Sequence, residues 1–139
     1  MEQEKVYTVI GLMSGTSTDG VDAALLRTDG VGYVERIGGL NLPYEDALRK
    51  KIKAQFGKNT CDIQTDDVAR EITLKHVEAV KALMAQEEVS KVDLIGFHGQ
   101  TIYHAPDQGR TIQIGDADLL AQETGIDVVY DFRSADVNA

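Results

Sequence analysis

The sequence predicts an α/β fold, a mixed sheet that begins with a three-stranded antiparallel meander and is flanked by helices. Three observations carry that expectation. Three apolar, strand-like runs at residues 6–12, 21–28 and 32–42 follow one another with only tight turns between them. Two helical patterns come next. Short apolar runs at 92–97 and 126–130 then alternate with a further helix, and polar clusters stand at their carboxyl ends, where open α/β sheets collect ligands.

Residues 6–12 show little polar alternation, the mark of a strand buried on both faces. Residues 21–28 form the second strand, and Asp29-Gly30 turns the chain into the third. Pro43 then opens a helix at its first position, where a missing N–H is no loss. Tyr44, Leu48, Ile52 and Phe56 recur at every fourth residue and give that helix one apolar stripe. Arg49, Lys50, Lys51 and Lys53 lie mainly off the stripe and toward the helix C-terminus, where cations are favoured; Gly57 ends the helix. A solvated face accounts for these basic residues better than a ligand patch does. After a polar loop at 58–64, Thr65 is placed to cap a longer helix over 66–87, with Asp66 and Asp67 in its first turn. Val68, Ile72, Val77, Val80, Leu83 and Met84 supply its core face, and His76 reads as an ordinary, partly exposed histidine.

Residues 92–97 form a short buried strand, with His98-Gly99-Gln100-Thr101 just beyond its end. Residues 111–114 alternate polar and apolar, as a half-exposed strand does. Gly115-Asp116 starts a short helix that runs through Glu123 and ends at Gly125. Residues 126–130 make a last buried strand, with Asp131-Phe132-Arg133 at its carboxyl end.

The chain has 139 residues, a length that suits one domain or one lobe of a larger enzyme. Its net charge of -9, without a basic tract, argues against nucleic acid as a partner, because neutralising phosphates takes clustered Lys and Arg. No apolar run approaches the roughly 20 residues that span a bilayer, so no membrane partner is expected. Residues 1–5 are acidic and lack the apolar core of a signal peptide. Cys61 is the single cysteine, so no intrachain disulfide forms, and a loop thiol in a reducing, cytoplasmic compartment is the natural reading. Residues 131–139 end without a cap, a partner strand or a closing helix, so the fold is expected to continue past Ala139. Apolar sheet surface left uncovered would favour self-association, as a homo-oligomer such as a dimer.

The densest chemistry lies between the first two strands, in Gly15-Thr16-Ser17-Thr18-Asp19-Gly20-Val21-Asp22. Small residues let backbone N–H groups approach a ligand, and hydroxyls add donors, which suits phosphate oxygens. Gly15 and Gly20 have the Walker A spacing, but Val21-Asp22 stands where Lys-Ser or Lys-Thr is required, so a P-loop is excluded. No G-x-G-x-x-G exists, which excludes a Rossmann fingerprint. Composition alone favours a plain hairpin around Asp-Gly, and a hairpin tip can still hold phosphate if it faces a cleft. A hydrolase elbow fails at its first glycine, where Leu12 stands ahead of Ser14. His98, His104 and Asp116 match no zinc spacing, so hydrogen-bonding roles are preferred to metal ligation. Arg133 either pairs with Asp131 or holds an anionic group of a substrate.

Gly11-Leu12-Met13-Ser14-Gly15-Thr16-Ser17, with Asp19-Gly20-Val21-Asp22-Ala23-Ala24-Leu25 after Thr18, resembles the signature of the anhydro-N-acetylmuramic acid kinase family. Phe97-His98-Gly99-Gln100-Thr101-Ile102-Tyr103-His104, Gln113-Ile114-Gly115-Asp116, and Thr124-Gly125-Ile126 through Val129-Tyr130-Asp131-Phe132-Arg133 resemble its later motifs, in order. Thr18 departs from the pattern, where a larger apolar residue is expected. The resemblance implies an actin/hexokinase-like (ribonuclease H-like) lobe, of which residues 1–139 would be the N-terminal part. It also implies ATP and Mg²⁺, with the turn at Gly15–Asp22 against the phosphates. The implied substrate is an amino sugar, contacted by Arg133 and, on the same side, His98 and Gln100. The implied reaction opens the 1,6-anhydro ring and phosphorylates the sugar 6-oxygen, in recycling of cell-wall material. The family's catalytic aspartate belongs to a later motif, beyond Ala139, so no catalytic residue is assigned and the chain alone is expected to be inactive or nearly so. The alternative is a non-catalytic module of the same fold that binds nucleotide or sugar.

Overall fold

The computed structural model describes residues 5–14, 19–55, 63–105 and 110–130, with the backbone alone at 63–65, 101–105 and 110–113. In chain order the elements are β1 (Tyr7–Ser14), β2 (Gly20–Thr28), β3 (Val34–Pro43), α1 (Asp46–Lys53), α2 (Ile63–Gln86), β4 (Leu94–Ala105), β5 (Arg110–Ile114), α3 (Ala117–Thr124) and β6 (Val128–Tyr130). They build one six-stranded sheet in the order β3-β2-β1-β4-β5, with β6 pairing β4. The expected meander is present: β1 and β2 are antiparallel from Tyr7↔Thr28 to Met13↔Asp22, and β2 and β3 from Gly20↔Pro43 to Thr28↔Val34. β4 lies parallel to β1 on one side and to β6 on the other, while its second half turns back through β5. The carboxyl ends of β1 and β6 therefore come to the same edge of the sheet as the middle of β4.

Opposed residues share a face. Ile10, Leu12, Val21, Ala23, Leu25, Ile95 and Phe97 all turn to one side and are buried. α2 covers them with Val68, Ile72, Val77, Val80 and Leu83, and Leu120 of α3 joins the same core. Fully burying an aliphatic side chain stabilises by about 1.5–3 kcal/mol, so this face dominates the energetics. The other face carries no helix among the described residues, and Tyr7, Met13 and Val129 are exposed there. The first strand is thus half-buried rather than buried on both faces, because helices lie on only one side of it.

Three local expectations are corrected. Pro43 does not open α1; it closes β3, paired with Gly20, and α1 begins at Asp46. β3 is an edge strand, where a missing N–H breaks no ladder. α2 already includes position 65, so Thr65 is not its cap; Phe56 and Gly57 lie outside the described residues. His76 is fully buried, because it sits on the i+4 ridge between Ile72 and Val80. By contrast α3 starts and stops as read: the Asp116 carboxylate accepts from the Leu119 N–H at 3.0 Å, and Gly125 takes the left-handed conformation after the last turn.

Candidate functional site

β4 does not end at Phe97. Leu12 pairs with Phe97, but Ser14 pairs with Gln100, so β4 holds one extra residue at 98–99. Gly99 absorbs it at φ 71°, a conformation glycine adopts without steric cost. The bulge reverses the alternation: Phe97 faces the core, and so does Gln100, three residues on. Gln100 is fully buried, and its Oε1 accepts from the Ser14 hydroxyl at 2.5 Å. Ser14 is also 2.7 Å from the Tyr44 hydroxyl. Three polar side chains from β1, β4 and the β3–α1 corner thus meet inside the core, directly behind the turn that joins β1 to β2. Burial pushes the Tyr44 phenol up to about 12.

The far side of the same turn is also fixed. The Tyr44 N–H donates to the Asp19 carbonyl at 3.0 Å, and the Arg49 guanidinium lies 3.6 Å from the Asp19 carboxylate. Gly20 is packed so tightly against β3 that a β-carbon there would stand 2.4 Å from the Leu42 carbonyl oxygen. Its lack of a side chain is a packing requirement of the β2–β3 pair as well as a feature of the turn. Val21, read with the ligand-binding turn, has its side chain wholly in the hydrophobic core. Asp22 points to the opposite face, where it accepts from the Asn41 side-chain amide at 2.8 Å. Gly15, Thr16, Ser17 and Thr18 lie outside the described residues, as does Arg133.

His98 is half-buried and lies within the bulge, between the pairs Leu12↔Phe97 and Ser14↔Gln100. Asp116, weighed as a metal ligand, caps α3, and its own N–H donates to the Thr73 hydroxyl at 2.8 Å. Among the described residues no group of three or more His, Cys, Asp or Glu is arranged to hold a metal ion.

Sequence reasoning missed a cleft of about 400 Å³ between the starts of α2 and α3 and the end of β6, lined by Asp66, Arg70, Gly115, Asp116, Asp118 and Tyr130. Tyr130 leads directly into the segment that contains Arg133. It missed Tyr44 as well, which reads as one more member of an apolar stripe; the only hint was that tyrosine carries a hydroxyl that needs a buried partner.

Residues 7–139 match the family described as anhydro-N-acetylmuramic acid kinase. The chain belongs to that family. It is 45% identical over 141 residues to the anhydro-N-acetylmuramic acid kinase of Rhizobium etli, a match that covers 95% of this chain and 38% of that protein. It is 48% identical over 134 residues to the one from Gluconobacter oxydans, covering 92% of this chain and 37% of the relative. The chain thus spans well under half the length of these family members. Among solved structures, the Aquifex aeolicus PPX-GPPA enzyme superposes with a TM-score of 0.38 at 13% identity, over 91% of this chain and 36% of that one, a likeness too low to bear on function. The observed sheet, mixed and opening with a three-stranded antiparallel meander under flanking helices, is the α/β arrangement the sequence predicts. Among the described residues no helix is long and apolar enough to cross a membrane.

Proposed function

We propose that these residues form the N-terminal part of the first lobe of an ATP-dependent kinase that acts on 1,6-anhydro-N-acetylmuramic acid in cell-wall recycling, in the cytoplasm. The observation that carries the reading is the bond from Ser14 to Gln100. It ties the turn that resembles a phosphate site to the strand that bears the family's second motif. In the reaction, water attacks the anomeric carbon as the bond from that carbon to the 6-oxygen breaks. The 6-oxygen takes the γ-phosphoryl group of ATP. The products are N-acetylmuramic acid 6-phosphate and ADP. Positioning and charge stabilisation carry most of such a transfer.

On this reading the residues at 15–20 approach the phosphates through backbone N–H groups, with Ser14 and Asp19 setting the two ends. The exposed Asp19 carboxylate offers a hard oxygen of the kind Mg²⁺ takes beside substrate phosphates. Mg²⁺, when bound, neutralises charge that develops on the transferring group. Arg133 and His98 serve the sugar side. The buried Gln100 serves by holding Ser14 rather than by meeting the sugar. The base that activates water comes from outside these 139 residues, so the chain alone binds ligand without turnover.

Calorimetric titration of the purified chain with ATP–Mg²⁺ and with the anhydro sugar, separately, tests this. Affinity for at least one, with no ADP formed when both are present, is the expected result. Binding of neither overturns the reading, and so does steady ADP production from the chain alone.

A further inference from the structure

We propose that Tyr44 is a positioning residue, one that grips the β1–β2 turn from both sides and so sets its width for a phosphate-bearing ligand. The ligand half of this inference rests on the nucleotide reading given above; the grip itself does not. Ser14 is the last residue of β1, and Asp19 immediately precedes β2. Tyr44 holds the first through its hydroxyl, at 2.7 Å, and the second through its backbone N–H, at 3.0 Å. A single residue thus spans the turn.

The direction of the side-chain bonds is fixed by chemistry. An amide oxygen only accepts, so the one Ser14 proton is committed to Gln100 Oε1. Ser14 Oγ must then accept from Tyr44, giving the order Tyr44 to Ser14 to Gln100. The high phenol pKa keeps Tyr44 a donor throughout the physiological range. Tyr44 is itself held rigidly. Its ring is buried, Pro43 before it is clamped against Gly20, and α1 starts two residues later. A tyrosine kept only for its apolar ring would have no use for this second attachment.

The test uses the 139-residue chain with Tyr44→Phe, Ser14→Ala and the double substitution. Tyr44→Phe keeps the ring and the backbone bond and removes one hydroxyl. Amide exchange by NMR at Gly20, Val21 and position 44 reports the turn, and Val80 and Leu83 in α2 report global opening. Losing one buried hydrogen bond corresponds to about tenfold, so exchange at the turn should rise about tenfold, and α2, where global unfolding breaks the same bond, should rise by no more than that. ATP–Mg²⁺ affinity should fall by about the same factor with sugar affinity unmoved, a split that general destabilisation does not produce. The double variant should be no worse than Ser14→Ala, which already removes the bond to Tyr44 together with the one to Gln100. A rise in α2 larger than that at the turn, or no change at the turn, overturns the inference. So does unchanged nucleotide affinity in Tyr44→Phe when the unaltered chain binds ATP–Mg²⁺. If the unaltered chain binds no nucleotide, the nucleotide reading fails, and the exchange data alone decide whether Tyr44 holds the turn.

Discussion

His76 makes the stability of this chain depend on pH in a window where most carboxylates are still ionised. Its ring is fully buried, edge-on to Phe97 with centroids 5.0 Å apart. Nδ1 lies 2.8 Å from the Ile72 carbonyl oxygen, which can only accept, so Nδ1 carries the proton. Nε2 is buried and has no hydrogen-bond partner among the described residues. Burial lowers the pKa from the ordinary 6.5 to about 4, and the bond to Ile72 opposes this only in part. The unfolded chain therefore takes up a proton below pH 6.5, whereas the folded chain takes none until about pH 4. Stability from this group is full above pH 6.5, falls as pH drops toward about 4, and is level below that. The whole window is worth about 3 kcal/mol, at ~1.4 kcal/mol per pH unit. His76→Leu, of similar volume, should stay within about 1.5 kcal/mol of the unaltered chain near neutral pH. At a pH about 1.5 below the free histidine value it should gain ~2 kcal/mol relative to the unaltered chain, since the group's penalty is gone. Urea unfolding followed by circular dichroism across that range measures the difference, in which carboxylates common to both chains cancel. If His76→Leu loses stability between neutral pH and pH ~5 as steeply as the unaltered chain, the buried, neutral histidine is refuted.

Three further substitutions test the fold around the site. Gly20→Ala would set a β-carbon 2.7 Å from the Pro43 Cα as well as against the Leu42 oxygen, backbone atoms that cannot give way. A loss of about 2 kcal/mol or more in urea unfolding is expected, and a loss under ~0.5 kcal/mol would refute the clash. α2 ends with Val89 N–H on the Met84 carbonyl and Glu88 N–H on the Ala85 carbonyl, which obliges Glu88 to adopt φ 55°. Glu88→Gly should therefore raise stability by about 1 kcal/mol, read as a higher thermal midpoint. Asp116→Ala removes the cap of α3 and should cost about 1 kcal/mol, whereas Asp116→Asn, which can still accept from Leu119, should restore most of it.

What could be read from the sequence follows the range of the forces involved. The meander was legible because Asp29-Gly30 and the apolar runs act locally. α3 was legible because its cap and its terminal glycine are both within the helix's own turns. β4 was not, since the bulge at Gly99 exists only against β1, a partner more than 80 residues earlier in the chain. A reader of hydropathy meets two polar residues and a glycine after Phe97 and ends the strand. The burial of His76 had a signal, its spacing from Ile72 and Val80, but polarity argued the other way. At the site, the motif residues from the family resemblance were found readily, yet their faces were not. Val21 and Gln100 point into the core, Asp22 lies on the far face, and only the register of the strands decides this. Tyr44 was hidden for a similar reason: its partners Ser14 and Asp19 are neighbours across a turn that the sequence shows, but nothing local says which tyrosine reaches both.

The glycine kink in β4 has a bearing on how this stretch can vary. Removing one residue there would abolish the kink and bring Gln100 to the second place after Phe97, where plain over-and-under order already turns it toward Ser14. Keeping the present length without the kink would instead swing the amide to the side away from Ser14. The backbone at position 99 separates these outcomes, since φ 71° is open to glycine and strained for a branched side chain. Position 99 is thus the place to inspect first when a variant of unchanged length loses its hold on the first turn.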